Sequence, residues 1–150
     1  MQKIVYKVVI LIVISILFSS CENKTESSKT TFEKYKDTYG IPWEKDLETA
    51  FQKAKEEHKL VMVMAVSKNC KWCKKMKKNT LSNKEVAKRL ENYILVMADR
   101  ETQNEREQLP PFKHVPIIFF MTHNRESLDD IRGYFNAKDF LEYLTGFEEE

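Results

Sequence analysis

The sequence is short of the residues on which several classes of protein depend. It has three cysteines and three histidines. Beyond Cys70 and Cys73 no second Cys/His pair stands at ligand spacing, which argues against a structural zinc site. The longest apolar run is well below the about 20 residues that a membrane-spanning helix needs. The formal net charge is only +2, too little for a protein that binds nucleic acid through a basic surface.

The N-terminus has the pattern of a secretory signal. Residues 1–7 contain two lysines and no acid, residues 8–18 are apolar, and Ser19, Ser20 and Cys21 follow. A basic start, a short apolar stretch and small residues at the cleavage site are typical of an exported protein. We therefore predict a signal peptide over residues 1–20. The alternative is an uncleaved membrane anchor, because Ile4 and Val5 extend the apolar stretch.

Phe18-Ser19-Ser20-Cys21 also resembles a bacterial lipobox. In lipoproteins of that kind the cysteine becomes the acylated first residue of the mature chain, although Leu is commoner than Phe three positions before it. The resemblance implies that Cys21 carries lipid and holds the protein on the periplasmic side of a bacterial membrane. Residues 22–37 are rich in Lys, Glu, Ser and Thr, and we expect a lipidated N-terminus and flexible tether over 21–41.

Processing at Cys21 would leave only two free thiols, Cys70 and Cys73. These two can pair with each other or with a partner, and export places them where disulfides persist. Because a four-residue loop constrains the unfolded chain very little, a lone C-x-x-C is more typical of a redox pair than of a structural disulfide. Loss of Lys3 and Lys7 would bring the net charge to about zero, which further excludes nucleic acid as a partner.

The stretch Asn69-Cys70-Lys71-Trp72-Cys73 follows an apolar run and is expected to open a helix. At a helix N-terminus, free N–H groups and the macrodipole favour the thiolate of the first cysteine. The surrounding lysines either reinforce that effect and attract acidic partners, or form a solvated helix face. There are three alternatives to a redox pair: half of a zinc site, two unrelated thiols, or a Cu(I) site that Met76 or His114 completes.

The hydrophobic pattern predicts one α/β domain over residues 42–150. The run 60–66 is continuously apolar, as in a strand buried on both faces. Asp46 is expected to cap a helix, and Ser82 with Glu85 forms a capping-box pattern. The predicted helices cover residues 46–58, 70–79, 83–91 and a C-terminal stretch capped within 136–139; the predicted strands cover 60–66, 93–98, 117–121 and 128–132.

This order of elements resembles the thioredoxin fold, with Cys70 and Cys73 opening a helix after a central strand and Val115-Pro116 preceding a later one. The resemblance implies a central mixed sheet flanked by helices. Trp43 and the stretch 81–86 are most similar to the exported domains at the C-terminal end of transmembrane thiol:disulfide interchange proteins. The sequence departs from thioredoxin at three places: Lys71-Trp72 replaces Gly-Pro, Asn69 replaces Trp, and Met64 replaces a buried Asp.

The resemblance implies that Cys70 is the nucleophile and that Cys73 resolves the mixed disulfide. It implies a cis bond between Val115 and Pro116 that aligns the bound substrate chain. Trp72, between the cysteines, is expected to contact the partner or to pack on the domain. Lys71 and a protonated His114 are candidates for tuning the thiolate.

The resulting hypothesis is an exported, lipid-anchored thiol–disulfide oxidoreductase. It reduces or relays disulfides of extracytoplasmic proteins, receives electrons from an upstream donor protein, acts as a monomer and needs no cofactor beyond the Cys70–Cys73 pair. Cu(I) binding or delivery by the same cysteines is the alternative. The direction of electron flow stays open, because the resemblance favours a reductant whereas the lysines, by stabilising the reduced form, favour an oxidant.

Overall fold

The computed structural model describes residues 29–35 and 38–149. The predicted signal peptide, Cys21 and residues 22–28, 36 and 37 of the predicted tether lie outside these residues. The helices are α1 (Thr31–Lys34), α2 (Leu47–Glu57), α3 (Lys71–Lys75), a π-helical segment (Met76–Leu81), α4 (Lys84–Leu90), α5 (Gln103–Glu107) and α6 (Ala137–Glu149). The strands are β1 (Trp43–Glu44), β2 (Leu60–Val66), β3 (Tyr93–Asp99), β4 (Ile117–Met121) and β5 (Ser127–Arg132).

The five strands form one mixed sheet in the order β1-β3-β2-β4-β5. Strands β2 and β3 are parallel, while β4 pairs antiparallel with both β2 and β5. The helix-containing segment between β2 and β3 is the crossover that a parallel pair requires. The predicted fold, a mixed sheet flanked by helices, is confirmed. The two-residue strand β1 was not predicted, because two residues are too few to show a hydrophobic period.

The sheet has an apolar core on each face. Alternate residues of a strand point to opposite faces, and both faces of β2 are covered, as its continuous apolar run predicts. One face packs against α2, whose buried residues are Leu47, Ala50, Phe51 and Ala54. The other face packs against the helices that carry and follow the cysteines and against α6. Full burial of a side chain as large as Phe51 contributes on the order of 2 kcal/mol.

Helix α2 begins and ends where local chemistry allows. The backbone N–H of Thr49 donates to Oδ1 of Asp46 at 2.7 Å, which confirms Asp46 as the N-cap. At the other end His58 adopts a left-handed conformation with φ of 54°. The N–H of Lys59 then donates to the carbonyl of Ala54 at 3.0 Å, which satisfies one of the last carbonyls of the helix.

The helix that carries the cysteines changes its winding partway along. It starts as the regular helix α3 and continues from Met76 to Leu81 as a π-helix, two residues beyond the predicted end. The capping box predicted at Ser82 is wrong by one residue. Asn83 is the N-cap of α4 and accepts from the N–H groups of Glu85 and Val86, whereas the Ser82 hydroxyl donates to the carbonyl of Lys78.

The segment 29–35 differs from the flexible tether predicted for this part of the chain. Thr31 is buried and its hydroxyl donates to the carboxylate of Glu105 at 2.6 Å, and Lys34 forms an ion pair with Asp99. Partners 65 and 74 residues away explain why a local reading of composition missed this helix. Within the described residues, no helix is long and apolar enough to cross a bilayer.

Candidate active site

The two cysteines are joined by a disulfide at the start of α3. Their Cα atoms are 5.2 Å apart, within the range that a disulfide needs. Cys70 is the N-cap residue, and its Sγ accepts a hydrogen bond from the backbone N–H of Cys73 at 3.0 Å. This N–H group would also stabilise a thiolate on Cys70 in the reduced form, because it donates to the charged sulfur.

The two sulfurs differ in access to solvent. Cys70 is 9% exposed and Cys73 is 3% exposed, and both belong to the core on this face of the sheet. Met64 is fully buried in the same core, so no acid stands at the position where the family keeps one. Met76, proposed from sequence as a metal ligand, is also fully buried there.

The structure instead places a buried carboxylate at the end of the neighbouring strand. Asp99 pairs in register with Val66, four residues before Cys70, and its side chain is fully buried. It forms an ion pair with Lys34, and its Oδ1 accepts from the N–H of Glu101 at 3.0 Å. The hydrogen bond to Asp99 raises the pKa of Lys34, against a smaller opposing effect of burial.

Tyr35 lies beside this ion pair. Its hydroxyl is buried and has no hydrogen-bond partner among the described residues. Burial, followed by the charge of the nearby Asp99, raises the pKa of Tyr35, so the phenol stays neutral. Sequence reasoning missed Lys34, Tyr35 and Asp99, because nothing local to 29–35 shows that this segment packs against β3.

A cavity of about 320 Å³ opens beside the disulfide, and we call it the basic cavity. Both cysteines line it, together with Val66 and Ser67 at the end of β2 and with residues 33–35. Four of its lining residues are lysines and one is an acid; the full lining is Glu33, Lys34, Tyr35, Val66, Ser67, Lys68, Cys70, Cys73, Lys74 and Lys77.

A second cavity, of about 350 Å³, lies against the proline and is here called the cis-proline groove; its lining is Trp72, Val115, Pro116, Gly133 and Tyr134. The Val115–Pro116 peptide bond is cis, as the resemblance implied. The carbonyl of Pro116 accepts from the N–H of Gly133 at 2.9 Å, which brings the end of β5 beside the proline. The structure thus unites Trp72, Val115 and Pro116, the three residues predicted to bind substrate, in one groove.

Trp72 is half exposed but not isolated. Trp72 is 54% exposed, and the centroid of its ring lies 5.5 Å from the centroid of the Tyr134 ring. The Nζ atom of Lys75 stands 4.9 Å from the Trp72 ring and 4.5 Å from the Tyr134 ring. Cation–π attraction of this kind holds both rings in place. Tyr134 is a site residue that the sequence did not indicate, because only the fold brings it to the motif.

The two predicted tuning residues lie on the surface. Lys71 is exposed as the first residue of α3. His114 is exposed in the loop before the cis bond and lines neither of the two cavities. Within residues 29–35 and 38–149, no group of three or more His, Cys, Asp or Glu side chains stands close enough to hold a metal ion.

Comparisons with known proteins agree with this geometry. A thioredoxin-like family model matches residues 42–122. Thiol:disulfide interchange protein DsbD of Vibrio cholerae is 29% identical over 107 residues, covering 67% of this chain and 18% of that protein. Spermatogenesis-associated protein 20 of mouse (Mus musculus) is 35% identical over 69 residues, covering 45% of this chain and 8% of that protein. The chain thus spans less than a fifth of the length of these relatives.

Solved structures show the same fold. A thioredoxin from Thermus thermophilus superposes with a TM-score of 0.57 at 22% identity, over 67% of this chain and 82% of that one. The oxidised C-terminal domain of DsbD from Neisseria meningitidis gives 0.55 at 22% identity, over 66% and 90%. The fold and the paired cysteines are those of thiol–disulfide oxidoreductases. The chain belongs to the thioredoxin-like family.

Proposed function

We propose that this protein is an exported, lipid-anchored thiol–disulfide oxidoreductase that reduces, or relays electrons to, disulfides of extracytoplasmic proteins. The observation that carries the proposal is the position of the Cys70–Cys73 pair. The pair opens α3, and Trp72, between its cysteines, lines the same groove as Val115 and Pro116, whose peptide bond is cis. An exposed groove beside a dithiol lets an extended partner chain present its own disulfide to the nucleophile.

The reaction is a thiol–disulfide exchange in two steps, one for each cysteine. The Cys70 thiolate attacks one sulfur of the partner disulfide, forms a mixed disulfide and releases the other partner sulfur as a thiolate. Cys73, held 5.2 Å away between Cα atoms, loses its proton and attacks the Cys70 sulfur. The partner leaves with two electrons and the Cys70–Cys73 disulfide is restored. A donor protein must then reduce this disulfide before the next cycle.

Two observations bear on the direction of electron flow. The N–H of Cys73 donates to Sγ of Cys70, and Lys74 lines one cavity with both cysteines; both groups would stabilise the reduced form by favouring the thiolate. Similarity to the DsbD domain supports the reducing or relaying role. We adopt the reducing or relaying role, and the reduction potential of the Cys70–Cys73 pair tests it. A value of about −120 mV, at the oxidant end of the scale, would contradict this role.

The place of action is proposed from the N-terminal sequence. The signal pattern of residues 1–20 and the lipobox-like Phe18-Ser19-Ser20-Cys21 support export and acylation of Cys21. Stable anchoring takes more than one acyl chain, because a single chain gives only marginal binding. The similarity to DsbD supports the periplasmic side of a bacterial membrane.

Trapping tests the enzymatic proposal. In a Cys73→Ala variant the mixed disulfide cannot be resolved, so Cys70 should accumulate partners that are released by a reducing agent. A Cys70→Ala, Cys73→Ala double variant is the control and should trap nothing. Failure of the single variant to trap any protein in its native compartment argues against an oxidoreductase, and Cu(I) binding by the reduced pair without any disulfide exchange favours metal binding instead.

A further inference from the structure

We infer that the basic cavity is a specificity subsite that binds an acidic side chain of the partner next to the disulfide being exchanged. The inference rests on the proposed function and names the class of partner that the site accepts. Its ligand is a carboxylate, and its location is separate from the cis-proline groove, since the two cavities share no lining residue.

The first argument is charge. Lys34, Lys68, Lys74 and Lys77 line the basic cavity, and Glu33 is the single acid among its described lining residues. The N–H of Thr30 donates to Oε2 of Glu33 at 3.0 Å, which fixes this carboxylate at the start of α1 without removing its charge. Lys34 is held by Asp99, and Lys77 is buried with its Nζ atom 6.0 Å from the centroid of the Tyr39 ring. Lys68 and Lys74 are exposed. The attraction therefore comes from the two exposed ammonium groups, those of Lys68 and Lys74, which favour an anionic group over a basic one.

The second argument is proximity to the reacting sulfur. Cys70 and Cys73 are themselves lining residues of the basic cavity. A partner cysteine must bring its sulfur into bonding contact with Cys70, and neighbouring Cα atoms of a chain are about 3.8 Å apart. The side chain one or two residues from that cysteine therefore reaches the cavity. A volume of about 320 Å³ accommodates an aspartate or glutamate side chain together with water.

The third argument is the separation of roles. The cis-proline groove offers a ring pair and a proline, which suit an extended backbone and apolar side chains. The basic cavity offers ammonium groups. A partner is thus aligned by one site and selected for charge by the other, so charge selection can be removed without removing exchange itself.

The test uses three disulfides of known structure with the full reduced protein. Two are peptide disulfides that differ in one residue beside the cysteine, Glu in one and Gln in the other, and the third is the neutral hydroxyethyl disulfide. The variants are Lys68→Gln, Lys74→Gln and the two combined. Lys55→Gln is the matched control, because Lys55 is an exposed lysine on α2, which packs on the opposite face of the sheet.

We expect the unaltered protein to react faster with the Glu peptide than with the Gln peptide by about tenfold. Each single variant should reduce that ratio by about 2- to 5-fold, the range of an exposed ion pair, and the combined variant should abolish it. The control should keep the ratio. Any change in thiolate reactivity affects all three disulfides alike and cancels in the ratio, which should also fall as salt is added.

The possible failures are distinct. If the unaltered protein exchanges with the neutral disulfide but treats the two peptides alike, the inference is overturned and the oxidoreductase proposal stands. The same follows if Lys55→Gln lowers the ratio as much as the cavity variants. If none of the three disulfides reacts, the proposed function fails and the subsite inference fails with it.

Discussion

Replacing Lys34 by Met tests whether the segment before the predicted domain is part of the folded unit. Lys34 reaches from α1 to Asp99 at the end of β3, and the Asp99 side chain has no solvent exposure. Methionine keeps most of the length and apolar contact of lysine but leaves the carboxylate without its cation. Asp99 then retains the N–H of Glu101 as a partner, at 3.0 Å.

The expected cost follows from the burial of the two partners. Removing one member of a buried ion pair costs about 3–5 kcal/mol, because a charge is left uncompensated. The Lys34 side chain is 38% exposed, so water already screens part of the interaction. We therefore expect a loss of about 2 kcal/mol in the free energy of unfolding. With a slope of about 1.5 kcal/mol/M, the urea midpoint should fall by about 1.3 M.

Urea unfolding of the disulfide-bonded protein, followed by circular dichroism, measures this loss. Lys29→Met is the control, because Lys29 is exposed and should change the midpoint little. The decisive comparison repeats Lys34→Met in an Asp99→Asn background. If the cost comes from a stranded carboxylate, it should fall to about 0.5 kcal/mol there. An unchanged cost in that background, or no cost in the first, would refute the reasoning.

The remaining predictions concern pH, the groove, a helix end and the anchor. The pKa of Lys34 is raised in the folded state, so the stabilisation that its ion pair provides should be complete below the unfolded pKa of about 10.4. That stabilisation should vanish as the pH rises through the folded-state pKa. Equal effects of Lys34→Met at about pH 8 and about pH 12 would contradict this. Trp72→Ala should raise KM for a peptide disulfide at least about threefold, yet leave the rate with hydroxyethyl disulfide unchanged, whereas Leu128→Ala, also at an exposed apolar residue, should alter neither. His58→Gly should stabilise the fold by about 0.5–1 kcal/mol, seen as a higher Tm, because glycine adopts a φ of 54° without strain. Cys21→Ser should move the protein from the membrane fraction to the soluble one.

The regular elements were predictable because their signals are local. The apolar run of β2 and the stripe of α2 follow from the periods of strand and helix, and Asp46 caps α2 through a bond to Thr49, three residues away. The cap of α4 shows the limit of such signals. Ser82 and Asn83 are both good capping residues, and the π-helical winding that precedes them decides which one meets the free N–H groups.

The site was predictable in part. The paired cysteines and the cis bond at Pro116 followed from the motif and the family resemblance. Tyr134 was not predictable, because it meets Trp72 only after β5 has paired with β4 and brought Gly133 to the carbonyl of Pro116. His114 lines neither of the two cavities, and its predicted role stays a prediction.

The sequence by itself determined the chemistry of this protein: a dithiol at the start of a helix, a proline before a strand, and an α/β order of elements, all written in neighbouring residues. Only the tertiary structure decided what surrounds the dithiol. It brought Lys34 to Asp99 across 65 residues and made both cysteines part of a lysine-lined cavity. The physical reason is that charge pairing and cavity shape depend on distances in space, which chain separation does not specify.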